Sequence, residues 1–207
     1  MSLAADLAEG IAALGLSLPG EAQEKLLDYL ALLEKWNATY NLTAIRERRD
    51  MLTHHLLDAL AVIPHVRGAS WLDVGSGAGL PGIPLALACA DAAVTLVESS
   101  HKKAAFLRQA VLELGLRNVN VVCIRVEQWQ AGQRFDVVIS RALSDLPRFL
   151  ALGGRLCDVN GVLAAMKGAY PRAELARLPA RYRLQGVVPL AVPGLGAERH
   201  LVLIQPV

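Results

Sequence analysis

From Ser70 onwards, the sequence alternates between short apolar segments and longer segments of helical periodicity. The longer segments predict helices over residues 84–90, 101–114 and 143–152. The apolar segments have the length and composition of buried strands and read WLDVG (71–75), AVTLVES (93–99), VNVVCIRV (119–126), FDVVIS (135–140) and VLAAMK (162–167). Strands that alternate with helices predict a parallel sheet with helices on both faces.

The last two apolar segments are joined in a different way. RLQGVVPLAV (183–192) and RHLVLIQPV (199–207) are separated only by PGLGAE, which is too short for a crossover helix. We therefore expect an antiparallel hairpin at the edge of the sheet. The predicted fold is α/β and Rossmann-like, with a mainly parallel seven-stranded sheet that ends in this C-terminal antiparallel hairpin.

Residues 1–69 are interpreted as an N-terminal helical extension, and residues 70–207 as the main domain. Helical spacing predicts a first helix near the N-terminus, a second over 21–36 and a third over 50–62. WNATYNLTAI, which follows the second helix, reads as a polar and aromatic connection. We expect the aromatic residues Trp36 and Tyr40 to pack between the extension and the sheet.

The composition is that of a globular protein with a substantial core, since 54% of the 207 residues are hydrophobic and 19% are charged. The apolar runs are too short to span a bilayer, so no membrane association is expected. A net charge of +2 does not by itself separate RNA-binding proteins from other classes, since a protein that contacts a single site or a larger partner need not be strongly basic. Cys89, Cys123 and Cys157 are far apart and form no CxxC motif. This favours a cytoplasmic location and argues against a disulfide framework or a metal site.

The first predicted strand runs into a glycine-rich turn, WLDVGSGAGLPGIPLAL at residues 71–87. Glycines allow a ligand to approach the backbone closely and tolerate positive φ angles. A literal GxGxxG begins at Gly77, with Glu98 about twenty residues further on, as in NAD-binding proteins. In that motif the first glycine directly ends the strand, whereas here the strand ends at Gly75.

A second interpretation of the same turn starts from Asp73, two positions before the glycines Gly75, Gly77 and Gly79. A carboxylate in the first strand suits a ligand with an ammonium group and no pyrophosphate, and S-adenosylmethionine (SAM) has both properties. Glu98, at the tip of the second strand, can accept hydrogen bonds from the ribose of either ligand. The terminal hairpin is usual in SAM-dependent methyltransferases. We therefore favour SAM, with NAD binding and a purely structural turn as alternatives.

Eight segments are spread, in this order, over nearly the whole length from Trp36 to the end of the chain: WNATYNLTAI, HHLLDALAV, LDVGSGAGLPGIPLA, KKAAFLRQ, RVEQW, FDVVISRAL, AAMKG and ERHLVLI. In these segments the chain resembles the ribosomal RNA small subunit methyltransferase G family, also called glucose-inhibited division protein B. GAGLPG followed by SRA is the most specific signal. The sequence departs from the family at Ala59, where members often carry Ser, and in the divergent stretch LGGRLCDVNG.

The resemblance implies a class I SAM-dependent methyltransferase that methylates N7 of one guanine in 16S rRNA. It implies that Gly75 and Leu80 contact SAM in the glycine loop and that Val126 and Glu127 border the adenine. It also implies that Arg141, at the end of the fourth strand, lies at the methyl-transfer site as a catalytic and SAM-binding residue. The implied partner is 16S rRNA or the small ribosomal subunit, and the protein is expected to be a monomer.

Methyl transfer to guanine N7 agrees with the residues that follow the fourth strand. N7 has a free lone pair and no proton, so attack on the methyl group needs positioning rather than a general base. Methylation of cytosine C5 would need an activated cysteine. Methylation of an exocyclic amine commonly uses (Asn/Asp)-Pro-Pro-(Tyr/Phe), where this chain has SRAL (140–143). The Arg141 guanidinium could donate to guanine O6, stack on a base or hold a phosphate.

Basic residues outside the glycine turn are candidates for contacts with RNA. Lys167 ends the fifth strand and is expected to contact RNA, as are Arg125 and Arg199. A second basic cluster reads equally as an RNA-binding patch or as a solvated helix face, and consists of Arg46, Arg48, Arg49, His54 and His55. The histidines of this cluster and Asp58 lack a known metal-ligand spacing, so no metal site is expected.

Three other functions remain as alternatives at this point. The same fold could methylate a small molecule or a protein, the turn could bind NAD in an oxidoreductase, or the chain could be a non-enzymatic RNA-binding scaffold. Ligand-induced thermal stabilisation separates the first from the second, because SAM stabilises a methyltransferase and NAD does not.

Overall fold

The computed structural model describes residues 2–141 and 145–207 of the chain. In this part of the chain, seven strands form one sheet with the order β3-β2-β1-β4-β5-β7-β6. The strands are β1 (Ser70–Val74), β2 (Ala93–Glu98), β3 (Val119–Cys123), β4 (Phe135–Arg141), β5 (Cys157–Lys167), β6 (Tyr182–Pro189) and β7 (His200–Pro206). Strands β1 to β5 are parallel, and β7 pairs antiparallel with both β5 and β6. The predicted Rossmann-like sheet with its terminal hairpin is confirmed.

Helices precede and connect the strands. They are α1 (Leu3–Ala13), α2 (Gly20–Tyr40), α3 (Arg48–Met51), α4 (Asp58–Leu60), α5 (Gly82–Ala88), α6 (His101–Glu113), α7 (Leu146–Gly153) and α8 (Arg172–Leu175). A π-helical segment, Leu52–Leu57, joins α3 to α4, and 3₁₀ turns cover Ile63–His65, Val126–Gln128 and Gly154–Leu156. None of the helices in the described ranges has the length and apolar character needed to cross a lipid bilayer.

The two faces of the sheet bury separate hydrophobic clusters, because side chains alternate along each strand. On β1, Trp71 belongs to one cluster and Leu72 to the other. The N-terminal helices, α5 and α6 cover the first face and contribute residues such as Leu30 and Phe106. Helix α7 covers the second face through residues such as Phe149. The N-terminal helices thus share a core with the sheet, and the division of the chain between residues 69 and 70 stays a prediction.

The third predicted strand is wrong at its end. Strand β3 stops at Cys123, and residues 124–126 lead into a 3₁₀ turn instead of extending the strand. The Arg155 guanidinium donates to the backbone carbonyls of Val126 and Trp129. An arginine more than 25 positions along the chain therefore holds this segment outside the sheet, and local sequence periodicity carries no signal of that contact.

Strand β5 is longer than the sequence predicts. It begins at Cys157 rather than at residue 162 and pairs with β4 across an irregularity in register. Gly161 permits this close pairing, since a Cβ at that position would lie only 2.8 Å from the carbonyl oxygen of Asp136. The polar residues of the divergent stretch therefore form part of a strand.

Several helix boundaries also differ from the prediction. Helix α5 begins at Gly82 rather than at residue 84, because the Asp73 carboxylate accepts a hydrogen bond from the Gly82 amide (3.0 Å). Helix α7 begins at Leu146, and the predicted start at Leu143 lies outside the described residues. Helix α2 continues to Tyr40, four residues beyond the predicted end at residue 36. The predicted helix over 50–62 is divided into α3, the π-helical segment and α4.

Candidate functional site

The glycine-rich turn forms a tight loop at the carboxyl end of β1. Gly75, Gly77 and Gly79 have φ angles of 72°, 59° and 88°, a region that side chains disfavour. A Cβ on Gly79 would also lie 2.5 Å from the Cδ1 atom of Ile83. The loop therefore needs glycines for its own geometry, and it leaves its backbone open to a ligand.

Glu98 connects the end of β2 to this loop. Its side chain is buried, and its Oε2 atom accepts a hydrogen bond from the Gly77 amide at 2.9 Å. Its Oε1 atom accepts from the Ser100 amide at 2.8 Å. Each carboxylate oxygen has a further lone pair, so Glu98 can hold the loop and still accept hydrogen bonds from ribose hydroxyls, as the sequence predicts.

Asp73 is completely buried in β1, below the glycine loop. Its Oδ2 atom accepts from the Gly82 amide at 3.0 Å. Its Oδ1 atom is buried with no hydrogen-bond partner among the described residues. Burial raises the pKa of this carboxyl to about 7, and the hydrogen bond from Gly82 opposes that rise. Among the described residues, Asp73 is thus a carboxyl group with one unpartnered oxygen beside the glycine loop.

A cleft of about 280 Å³ opens at the carboxyl ends of β1 and β2. Its walls are Val74, Gly75, Val97, Ser99, Ile124, Arg125, Val126, Glu127 and Leu152. The aliphatic walls suit the flat ring of a purine, and one side is open to solvent. Gly75, Val126 and Glu127, three of the predicted SAM-binding residues, therefore lie together. Leu80, a fourth, is buried in the core behind the loop.

A larger cavity, of about 500 Å³, lies between α2, α5 and residues 115–118. Those residues precede β3, so this cavity is at the amino ends of the strands. Ligands of open parallel sheets bind outside the carboxyl ends. The smaller cleft is therefore the better candidate for the active site.

Arg141 ends β4 beside the glycine loop. Its Nη1 atom donates to the His54 carbonyl at 2.7 Å and to Asp58 Oδ2 at 3.0 Å. Asp58 Oδ1 in turn accepts from Nε of Arg199 at 3.0 Å. Two residues predicted for different roles are therefore joined by one buried carboxylate. From the sequence, Asp58 was a candidate only for a metal site, and its contact with the two arginines was missed.

The other two residues predicted to contact RNA have different surroundings. Lys167, at the end of β5, forms an ion pair of 2.8 Å with Glu174. The same Glu174 oxygen accepts from the amide of Leu146, the first residue of α7. Arg125 is exposed and lines the cleft. Lys167 is thus held by an internal partner, whereas Arg125 points its charge towards solvent at the site.

Two of the five residues in the second basic cluster pair with acidic side chains, and a third, His55, is buried. Arg48 lies 2.6 Å from Glu34, and Arg49 lies 3.3 Å from Asp6. These pairs favour the interpretation of Arg48 and Arg49, whose side chains are exposed, as part of a solvated helix face. Within the described residues, no group of three His, Cys, Asp or Glu side chains is arranged to hold a metal ion.

The aromatic residues at the end of α2 pack against the main domain. The ring of Trp36 stacks on Tyr40 at 5.1 Å and lies 5.6 Å from the ring of Phe106 on α6. The predicted packing role of Trp36 is confirmed. Tyr40 forms the outer layer of this stack, with 41% of its surface exposed.

Tyr29 attaches α2 to the glycine loop. It is completely buried, and its hydroxyl donates to the Ala78 carbonyl at 2.7 Å. We expect Tyr29→Phe to lower the free energy of unfolding by about 1–3 kcal/mol, because the Ala78 carbonyl loses its buried donor. Urea unfolding measures the loss. Tyr40→Phe, at an exposed ring, should change stability by less than about 0.5 kcal/mol, and equal losses in the two variants would contradict this role of Tyr29.

Comparison with known proteins gives one consistent family. The family model described as GidB, rRNA small subunit methyltransferase G, matches residues 22–202. A relative from Nitrosospira multiformis named ribosomal RNA small subunit methyltransferase G is 53% identical, over 99% of this chain and 98% of the relative. A relative of the same name from Aromatoleum aromaticum is 54% identical, over 98% of each chain.

Solved structures share the fold at low sequence identity. The mitomycin 7-O-methyltransferase MmcR superposes with a TM-score of 0.62 at 16% identity, over 77% of this chain and 56% of MmcR. A mutant of MtNAS solved in complex with S-adenosylmethionine has a TM-score of 0.57 at 18% identity, over 86% of this chain and 72% of MtNAS. At these identities the likeness shows the fold alone.

Proposed function

This chain belongs to the rRNA small subunit methyltransferase G family, and from that membership we propose that it transfers the methyl group of SAM to N7 of one guanine in 16S rRNA. It is a SAM-dependent rRNA methyltransferase. Membership of this family favours SAM over NAD as the ligand, and RNA over a small molecule or a protein as the methyl acceptor. The observation that carries the assignment of the site is the position of Arg141 beside the glycine loop.

The residues around the cleft fit SAM, which when bound supplies an electrophilic methyl group on a sulfonium sulfur. The unpartnered Oδ1 atom of Asp73 suits an ammonium group, and Glu98 has lone pairs for ribose hydroxyls. The apolar walls of the cleft suit adenine. The proposed SAM-binding residues are Asp73, Gly75, Gly77, Gly79, Leu80, Glu98, Val126, Glu127 and Arg141.

Arg141 is the proposed catalytic residue. Ile139 pairs with Asp73 across the two central strands, so Arg141, two residues further along β4, stands beside Gly75. A guanidinium there can donate to guanine O6 and leave the lone pair of N7 free for attack. The reaction needs no proton acceptor, because N7 carries no proton. Catalysis therefore rests on orienting the base and excluding water.

Arg125, Lys167 and Arg199 are proposed to contact the RNA. Support comes from their positions: Arg125 lines the cleft, and in the sheet Lys167 pairs with His200, the neighbour of Arg199. All three belong to the edge at which Arg141 ends. Lys167 is also paired with Glu174, so contact with RNA would have to compete with or extend this ion pair.

The modest net charge of +2 supports a structured particle, the small ribosomal subunit, as the partner rather than bare rRNA. The protein is proposed to act as a monomer in the cytoplasm. Three free cysteine thiols support a reducing location.

The test of this function is the transfer of labelled methyl groups from SAM to small ribosomal subunits that lack the modification. We expect label in 16S rRNA, with more label in intact subunits than in protein-free rRNA. SAM should also raise the melting temperature and NAD should not. Equal labelling of bare rRNA would contradict the preference for a particle. Absence of labelling, with SAM bound, would overturn the RNA target.

A further inference from the structure

Asp58 is a buried carboxylate shared between two arginines. Its side chain is 2% exposed, and both of its oxygens lie 3.0 Å from a guanidinium nitrogen, of Arg141 and of Arg199. Arg141 ends β4 and Arg199 precedes β7, so one acidic side chain links three distant parts of the sequence. A carboxylate this deeply buried depends on its partners, because its lost hydration is not otherwise offset.

The π-helical segment gives Arg141 a second acceptor. The Asp58 amide donates to the carbonyl of Thr53, five residues back. In a regular α-helix it would donate to the carbonyl of His54. That carbonyl instead accepts a hydrogen bond of 2.7 Å from Arg141 Nη1. The irregular turn therefore provides both acceptors of the arginine, and π-helical turns are frequent at functional sites.

Both acceptors bind the same nitrogen of Arg141, which leaves the rest of the guanidinium available. Within residues 2–141 and 145–207, its Nε and Nη2 atoms have no hydrogen-bond acceptor. A guanidinium is planar and carries its donors in a rigid fork. Two acceptors on one nitrogen therefore restrict the direction in which the remaining donors point. The side chain is 20% exposed, so these donors can reach a nucleotide at the sheet edge.

Asp58 also adjusts the charge of the site. Methylation of N7 places a positive charge on guanine, and two arginines without a counter-ion would oppose that change. The Asp58 carboxylate neutralises one of the two positive charges. It therefore allows arginine donors to face a base that becomes cationic during the reaction.

We propose that Asp58 is a positioning residue for methyl transfer: it holds Arg141, together with Arg199, in the orientation that presents the guanine to SAM. The inference rests on the proposed function. It assigns a part in the reaction to the N-terminal helical region, whereas the SAM cleft is built from residues 74–152. Asp58 acts through the arginines and has no contact with SAM.

Asp58→Asn keeps the volume of the side chain and removes its charge. We expect kcat for methyl transfer to fall about 30- to 100-fold, because a displaced arginine no longer orients the base. The Kd for SAM, measured by calorimetry, should change much less, by no more than about threefold, because Asp58 contacts only Arg141 among the nine proposed SAM-binding residues. Glu34→Gln, which removes a carboxylate from the exposed ion pair with Arg48, is the matched control and should leave kcat unchanged.

A double-mutant cycle with Arg141→Ala separates positioning from a general structural role. If Asp58 acts through Arg141, Asp58→Asn should change kcat less than about threefold once Arg141 is alanine. Asp58→Glu keeps the charge but shifts the carboxylate by one methylene. If Asp58→Asn does not fold, Asp58→Glu takes its place in the double-mutant cycle with Arg141→Ala. If the fold losses in kcat of the two single variants multiply in the double variant, the positioning role of Asp58 is contradicted, while the proposed function still stands. Absence of methyl transfer by the unsubstituted protein would overturn the proposed function and this inference with it.

Discussion

Arg141→Ala should reduce kcat/KM for methylation of the small subunit by about 100- to 1000-fold, which is the range expected when an enzyme loses an orienting contact at the reacting group. The Arg141 guanidinium is held at the end of β4 by the His54 carbonyl and the Asp58 carboxylate. Alanine removes all of its donors. The loss should appear mainly in kcat, because the rest of the SAM cleft is unchanged.

The matched control for this prediction is Arg48→Ala. Arg48 is also an arginine in an ion pair, but its side chain is 53% exposed and its partner Glu34 lies on α2, away from the cleft. We expect its kcat/KM to stay near that of the unsubstituted protein. A comparable loss in the control, or retention of activity in Arg141→Ala, would contradict the assignment of Arg141 as the catalytic residue.

Asp73→Asn should weaken SAM binding by about 10- to 100-fold, because a buried amide cannot replace the charge that we propose pairs with the ammonium group of SAM. Asparagine retains an oxygen that can accept from the Gly82 amide, so the loop and α5 should keep their geometry. Asp136→Asn is the control. Asp136 accepts from the amides of Ala69 and Ser70 at the opposite end of β1, and its loss should leave the Kd for SAM unchanged.

The raised pKa of Asp73, about 7, gives this prediction a dependence on pH. In the free protein the carboxyl is largely protonated at pH 6, and SAM must displace that proton to gain a charged partner. The Kd should therefore be several-fold higher at pH 6 than at pH 7.5 in the unsubstituted protein. In Asp73→Asn the Kd should vary little over this interval. The same pH dependence in both proteins would show that another group is responsible.

Burial of Asp73 also affects stability in the absence of SAM. Its folded-state pKa of about 7 lies above the ordinary value of 3.8, so between these pH values the folded protein binds more protons than the unfolded chain. The contribution of this group to the free energy of unfolding therefore decreases as the pH rises from 3.8 towards 7. Near neutral pH, burial of Asp73 therefore lowers the stability of the free protein, and the proposed pairing with SAM would offset this cost.

The alternation of strands and helices and the terminal hairpin could be predicted from the sequence, because both depend on local periodicity and on short connections. The glycine loop and Glu98 could be predicted because their motif lies within one β-α-β unit. The end of β3 could not, since it depends on Arg155. The early start of β5 depends on close pairing at Gly161. These two boundaries are set by contacts between distant parts of the chain.

The contacts of Asp58 with Arg141 and Arg199 could not be predicted for the same reason, because they join distant parts of the chain. Arg141 and Arg199 lie 83 and 141 positions from Asp58 in the sequence, and the three residues meet only in the folded chain. An acidic residue, Asp58, close to the two histidines at residues 54 and 55 was the signal that the sequence offered. A regular α-helix, however, predicts that the His54 carbonyl is used within the helix and is not available to Arg141. The π-helical turn could therefore not be predicted from the sequence periodicity. The contact between the His54 carbonyl and Arg141, which depends on that turn, could not be predicted either.

The most direct test of the central claim is the identity of the methylated nucleoside. Small subunits lacking the modification would be incubated with the protein and methyl-labelled SAM, and the 16S rRNA digested to nucleosides and separated by chromatography with mass detection. We expect the label to be recovered as 7-methylguanosine from a single position and to be lost with Arg141→Ala. Label in a methylated cytosine, or on an exocyclic amine, would contradict this expectation.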